Sequence, residues 1–183
     1  MGQLLDDLQN EKPAELRARS IDSMNWFRNN LRQIRMRSSS LMDEFDANGK
    51  VKIGNMYMFF YDAKTKDKLP YWDYFPLCIP IKKYKTGFMG LNLHYLPPRY
   101  RIRLLDAMYG DMEDGTFDID YGMVKSISKL RWAKPCVKQY QYGFFKSYIK
   151  QVGSEYYDLV SMLPTTKFNK NANTVYADSM RKI

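Results

Sequence analysis

The chain has 183 residues, of which 45% are hydrophobic and 15% aromatic, and its 29 Lys and Arg exceed its 20 Asp and Glu. This length fits one domain with its own core, and no apolar run is long enough to span a bilayer. The net charge of +9 favours a phosphate backbone, an anionic membrane surface or an acidic protein as partner, although such a charge can also serve solubility alone. The two isolated cysteines argue against a disulfide framework and a zinc site. We therefore predict no metal and no cofactor.

The first predicted element is an amphipathic helix from Pro13 to about Met36, with proline in its first turn and apolar residues at three- and four-residue steps. The sequence predicts a helical arm over residues 1–45 and an α+β core over residues 46–183, joined by a flexible connection that includes Ser38. The arginines along the apolar stripe either form a solvated edge or belong to a helix that docks on another subunit or on a phosphate chain. The candidate partner-binding residues are Met24, Phe27, Arg28, Leu31, Arg32, Ile34 and Arg35.

Three strands joined by short loops follow the helix. Residues 56–61 alternate between two apolar faces, which predicts a strand covered on both sides. Prolines at positions 70, 76 and 80 limit the second strand to a sheet edge or an interrupted path. The third strand is predicted from Phe88 to Tyr95. Together these strands predict a small antiparallel sheet of barrel-like type.

The carboxyl-terminal half is predicted to be helical. One helix follows Pro98, and an acidic segment, residues 106–120, is predicted to be a solvated loop. A further helix begins near Ser154 and ends before Pro164, and Asn173 is predicted to cap a last short helix. The predicted fold class is therefore α+β.

The single histidine, His94, is the most conspicuous candidate for chemistry. One histidine cannot supply a His pair for a metal, and a Cys-His dyad would need Cys78 or Cys136, which lie in runs typical of inert core thiols. On the predicted third strand His94 shares a face with Asn92. We therefore predict that both side chains fix the end of this strand by hydrogen bonds.

The acidic segment invites a cation-binding interpretation. Asp111, Glu113 and Asp114 precede Gly115, but no Glu closes the loop as a calcium hand requires. A magnesium-dependent nuclease that uses these three acids stays as an alternative hypothesis. Because the acids lie in one loop-like run, we do not expect catalysis there.

The binding pattern is stronger than the catalytic one. Basic residues alternate with aromatic residues in two stretches of the chain, and the fifteen tyrosines suit extensive interfaces or core filling. Cations among aromatic rings are typical of sites for a phosphate backbone with bases available for stacking, and they also suit an acidic protein surface. The candidate nucleic-acid-binding residues are Lys82, Lys83, Lys85, Arg99, Arg101, Arg103, Lys125, Lys129, Arg131, Lys134 and Lys138.

Four segments of these regions carry a family resemblance. They are Met56–Lys64 (MYMFFYDAK), Leu69–Leu77 (LPYWDYFPL), Gly87–Pro98 (GFMGLNLHYLPP) and Lys134–Cys136 (KPC). In these motifs the chain resembles a family of small virion proteins from contractile-tailed phages of the T-even type, which carries the label DNA end protector. The resemblance covers residues 54–179 and leaves the amino-terminal helix outside.

The resemblance implies a non-enzymatic virion protein that binds double-stranded DNA ends and is present in the host cytoplasm during assembly. A structural component of the neck, tail or baseplate, such as a head-tail connector held by other virion proteins and oligomeric in the particle, is the alternative. No membrane partner is expected. The family implies no residue assignments.

Overall fold

A computed structural model of the chain describes residues 5, 7, 10–13, 15, 20–31, 38–47, 49–109, 126–127 and 129–183. It combines helices with an antiparallel sheet, which confirms the α+β class. No helix in these ranges is long and apolar enough to cross a membrane. The helices are α1 (Ile21–Leu31), α2 (Ser38–Asp43), α3 (Pro98–Tyr109), α4 (Tyr157–Met162) and α5 (Ala172–Arg181). The strands are β1 (Tyr57–Met58), β2 (Leu77–Tyr84), β3 (Gly87–Asn92), β4 (Val137–Gln141) and β5 (Lys150–Gln151).

Helix α1 begins at Ile21, later than the predicted Pro13. The start is fixed by a side-chain cap, since the Ser23 backbone N–H donates to Ser20 Oγ at 3.0 Å. The Phe27 ring is 2% exposed and belongs to the main hydrophobic core. The prediction that Phe27 contacts a partner is therefore wrong, because its own chain covers it.

Helix α2 stands where a flexible connection was predicted. Its Leu41 and Met42 are buried in the same core as Phe27, and Phe45 just beyond it packs at 6.0 Å from the Tyr156 ring. The segment is ordered by this apolar contact, which its three serines did not reveal. The division of the chain at residue 45 stays a prediction.

The sheet is open rather than barrel-like. Its strand order is β4-β3-β2-β1-β5, and every neighbouring pair in that order is antiparallel. Strand β2 lies inside the sheet, so the first of the two predicted alternatives, a sheet edge, does not apply. The predicted interruption is present, because the β2–β3 register shifts between Pro80 and Lys82.

Both faces of the sheet are covered, as the alternation at residues 56–61 predicted. Met56 and Met58 pack in the main core, whereas Tyr57, Phe59 and Tyr61 pack in a second, largely aromatic cluster on the opposite face. All five side chains are at most 7% exposed. The sheet therefore separates two cores.

The carboxyl-terminal helices flank the main core. Helix α3 packs against α4, which ends at Met162 before Pro164. Helix α5 is capped by Asn171, whose side chain accepts from the Asn173 N–H at 2.8 Å. The cap thus lies two residues before the predicted one.

Candidate nucleic-acid interface

One lysine from each of the two predicted basic stretches lies on the same face of the sheet. Lys83 lies opposite Phe88, and Phe88 lies opposite Tyr140. Paired residues of antiparallel strands point to the same face, and so do residues two positions apart. Lys138 therefore shares the face of Tyr140 and Lys83. Two strand spacings and a two-residue step separate the Cα atoms of Lys83 and Lys138 by about 12 Å.

The rings on this face form the second hydrophobic cluster. Phe59 stacks on Phe145 with 4.3 Å between ring centroids, and Tyr61 meets Tyr140 edge to face at 4.9 Å. Such packing fixes the rings in place. We call this side of the sheet the aromatic face. It includes Lys83 and the rings named above. Its other members are Lys50, Lys64, Trp72, Phe88, Lys138, Tyr142 and Phe144.

Two hollows border the aromatic face, and each contains two lysines. A cleft of about 320 Å³ is lined by Lys64 and Lys138, and a second hollow of about 310 Å³ is lined by Lys50 and Lys83. Lys50 and Lys64 were not among the predicted binding residues, because their sequence neighbourhoods, GKVK and KTKDK, contain lysines but no aromatic residue. The available signal was the motif MYMFFYDAK, in which Lys64 comes three residues after Tyr61, the last aromatic residue of the predicted strand.

Lys138 is held within the cleft. Its Nζ lies 4.0 Å from the centroid of the Tyr95 ring, an arrangement that stabilises an ammonium group through the π face. Burial lowers the pKa of Lys138 from 10.5 to about 8, and the nearby charge of Lys182 acts in the same direction. Because a deprotonated amine cannot attract phosphate electrostatically, the charge of this cleft depends on pH just above neutrality.

Lys82 and Lys85 lie at the same end of the β2–β3 hairpin as Lys83. Lys82 opposes Met89 and therefore points to the other face of the sheet, where its Nζ lies 5.4 Å from the Tyr84 ring. Both lysines are exposed. Their role in DNA binding stays a prediction.

A second basic patch lies on α3, at the other end of β3. The guanidinium groups of Arg99 and Arg103 lie 4.8 and 5.4 Å from the centroid of the Tyr100 ring, and both arginines are exposed. The length of β3, roughly 20 Å at 3.3 Å per residue, separates them from the hairpin lysines. The predicted binding residues of the hairpin and those of α3 therefore lie in two separate patches. The exposed Lys129, Arg131 and Lys134 lie on or next to a 3₁₀ segment that packs against α3.

Arg101 does not belong to either patch. It is 1% exposed, and its guanidinium donates to Leu96 O at 2.8 Å and to Ser161 O at 3.0 Å. It also donates to the hydroxyls of Thr166 and Tyr176, at 3.0 and 2.9 Å. The prediction that Arg101 binds nucleic acid is therefore wrong. Its side chain connects α3 to the α4 and α5 region.

His94 lies in a buried polar network, in agreement with the predicted structural role. Its Nδ1 lies 2.8 Å from Asp73 Oδ2 and its Nε2 lies 3.2 Å from Thr165 Oγ1. Asn92 accepts from the His94 N–H at 3.0 Å and donates to Asp73 and to Tyr140 Oη. Residues 93–95 form a 3₁₀ turn rather than the predicted end of β3, so the strand ends at Asn92, within this network.

The Asp73–His94–Thr165 chain of hydrogen bonds has the order of a catalytic triad, but it is not accessible to solvent. His94 is 0% exposed and Thr165 is 4% exposed. Burial lowers the pKa of His94 below its ordinary 6.5, so the ring is neutral at pH 7, and Nδ1 carries the hydrogen because the carboxylate accepts. The network therefore stabilises the fold.

The two cysteines are inert in this environment. Both are fully buried and free. Burial raises the pKa of Cys136 to about 12 and that of Cys78 well above its ordinary value, so neither is a thiolate near neutral pH. Among the described residues there is no group of three His, Cys, Asp or Glu that would hold a metal ion.

Several predicted residues cannot be placed. Asp111, Glu113 and Asp114 lie outside the described residues, and so do Lys125, Arg32, Ile34 and Arg35. For Met24, Arg28 and Leu31 the structure describes only their position on α1. The partner-binding and nuclease hypotheses that rest on them are untested.

The fold and this interface define a small basic α+β protein with an aromatic, lysine-bordered sheet face. The model of the phage T4 terminal DNA protecting protein family matches residues 3–182, so the chain belongs to that family. The match includes the amino-terminal helix, which the sequence resemblance had left out. The comparisons with curated proteins and with solved structures give no match.

Proposed function

We propose that this chain is a non-enzymatic virion protein that binds the ends of packaged double-stranded DNA and protects them from exonuclease. Its family is described as terminal DNA protecting. The observation that extends this proposal to particular residues is the presence of Lys83 and Lys138 on one aromatic sheet face. Protection requires only that the protein cover the terminus, and it therefore requires no catalytic group.

The chemistry of the aromatic face suits a DNA end better than an internal duplex. Lysines neutralise phosphates and release counterions anywhere along the duplex. Aromatic side chains gain stacking energy only where a base face is exposed, as at a terminus. The face offers both, with Tyr142 40% exposed near Lys83. The α3 patch, with Arg99 and Arg103, adds a second contact to the phosphate backbone.

The test compares linear and circular duplexes of the same sequence across a salt series. We expect the protein to protect linear ends from exonuclease and to bind circles weakly, with an affinity that falls as salt rises. Equal affinity for both forms would show that it does not recognise ends. Absence of protection near physiological salt would remove the DNA-end function and leave a structural role in the particle.

Attachment to other virion proteins is a second part of the proposal. Ile21 is 71% exposed at the start of α1 and Tyr148 is 81% exposed, and apolar surface of this kind suits a protein contact. Deleting the whole amino terminus would not test it, because Phe27 is part of the core. We expect the double substitution Ile21→Ser and Tyr148→Ser to leave DNA protection unchanged and to reduce incorporation into particles. Normal incorporation would contradict this attachment.

A further inference from the structure

The cleft beside the aromatic face has features that covering a duplex end does not require. It lies between β4 and residues 61–73, and its volume is about 320 Å³. Small-molecule sites in proteins span roughly 300–1,000 Å³. The volume of the cleft lies at the lower end of this range, which suits a ligand about the size of a single nucleotide.

The walls of this cleft are aromatic and already packed. Tyr61 and Tyr140 meet edge to face at 4.9 Å, and Tyr95 lies under the Lys138 amine. Trp72 is half-buried at the border, and Leu69 is 40% exposed. Because these side chains are held by their neighbours, a ligand would bind with little ordering cost.

The charges in the cleft are those that a nucleotide phosphate requires. Lys64 and Lys138 line it from two different segments of the chain. Among the described residues that line the cleft, the one carboxylate is Asp73, which is 3% exposed and is already paired with His94, Asn92 and the Phe75 N–H. The rest of the described lining consists of lysines, apolar and aromatic side chains and the uncharged polar residues Thr65, Gln139 and Gln141, so its charge is positive.

We propose that this cleft receives one unpaired nucleotide from the end of a DNA strand, with its base against the apolar wall and its phosphate between Lys64 and Lys138. The proposal rests on the proposed function, which it deepens. Separating one terminal nucleotide costs less than extruding an internal one, since terminal bases stack on one side only. A protein that holds a separated terminal nucleotide selects ends over internal duplex. It also removes the end that an exonuclease must engage.

The test uses short duplexes that carry a fluorescent adenine analogue either as the terminal base or in the middle of one strand. We expect binding to change the emission of the terminal analogue and not that of the internal one. Lys64→Gln and Lys138→Gln should each lower the affinity for ends roughly five- to tenfold, as expected for one lost phosphate contact. Both should also abolish the change in terminal emission at saturating protein. Lys66→Gln is the matched control, because it removes an exposed charge from the same loop outside the cleft lining.

The outcomes separate this inference from the proposed function. If the protein protects ends but the terminal emission does not change, or changes equally in Lys64→Gln, the cleft is not a nucleotide site and the end-binding function stands. If the protein protects no end, both proposals fail. A shift in terminal emission that both cleft substitutions abolish, and that Lys66→Gln retains, supports the inference. Deoxyadenosine 5′-monophosphate, titrated into the complex of wild-type protein and duplex, should compete with the duplex for the protein. Absence of competition at a high concentration of the nucleotide would overturn the inference.

Discussion

The buried network around Asp73 and the aromatic face adjoin at Tyr140, but they differ in whether their polar groups are paired within the protein. In the network, every side-chain polar atom of Asp73, Asn92 and His94 has a partner within 3.2 Å. On the aromatic face, the cations lie at the border, and Lys83 is exposed to solvent. The residues with the most enzyme-like arrangement therefore specify the fold. The residues suited to binding are those whose charge is open to a ligand.

The largest predicted effect tests the structural side of this comparison. Asp73→Ala removes the acceptor of three hydrogen bonds and leaves buried donors of His94 and Asn92 unpaired. We expect a loss of about 3–5 kcal/mol in the free energy of unfolding, measured by urea denaturation. Asp62→Ala, which removes an exposed ion pair with Lys66, is the control and should leave the denaturation midpoint unchanged. A change in DNA affinity without a loss of stability would instead place Asp73 in a binding site.

The second prediction compares the buried Arg101 with an exposed arginine on the same helix. Arg101→Lys keeps the charge but cannot make all four hydrogen bonds of the guanidinium. We expect a loss of about 2–3 kcal/mol in stability and no change in the salt dependence of DNA binding. The exposed Arg103→Lys should leave stability unchanged. A flatter salt dependence in Arg101→Lys would contradict its structural role.

The helix period explains why Arg101 was assigned to the wrong set. Arg99 and Arg103 are four residues apart and share a helix face, whereas Arg101 lies about 200° from Arg99. Arg101 begins the buried stripe that continues with Leu104, Leu105 and Met108. The sequence contained this signal once a helix was predicted after Pro98. In contrast, nothing in its sequence neighbourhood marks Arg101 as the donor to Ser161 O.

The candidate interface was harder to predict from the sequence than the fold class was. Alternation at residues 56–61 and the turn before Gly87 were sufficient to predict an antiparallel sheet with two covered faces. The shared face of Lys83 and Lys138 depends on the β2–β3 register and on the β3–β4 register, and the register between strands that lie far apart in the sequence is a tertiary property. The cleft likewise joins segments that lie more than sixty residues apart.

The third prediction tests the binding side of the comparison. The double substitution Lys83→Gln and Lys138→Gln removes one charge from each border of the aromatic face. If both contact phosphates, the slope of log affinity against log salt should flatten by about 1.8, and affinity at physiological salt should fall roughly 30-fold, about 2 kcal/mol. The salt series on linear duplex measures both quantities. Lys66→Gln is again the control, and an unchanged slope in the double variant would remove both lysines from the DNA interface.

The smallest predicted effect is a pH dependence with opposite signs for binding and for stability. Burial lowers the folded-state pKa of Lys138 to about 8, below its value of about 10.5 in the unfolded chain. Between these values the unfolded chain binds more protons, so the contribution of Lys138 to stability rises with pH in that window. Binding of phosphate requires the protonated amine. DNA affinity should therefore fall by up to about tenfold from pH 7 to pH 9.

The groups that face Lys138 do not account for this dependence. Cys136 has its pKa raised by burial to about 12, the pKa of Tyr95 is also raised by burial, and Asp73 is engaged with His94. In the part of the chain that the structure describes, Lys182 and Lys64 are the remaining charged neighbours, so Lys138→Met is compared with wild type to isolate the one amine. In Lys138→Met the fall in DNA affinity and the matching rise in the urea midpoint should both disappear. If affinity declined equally in both proteins, another group would be titrating and Lys138 would not hold a phosphate.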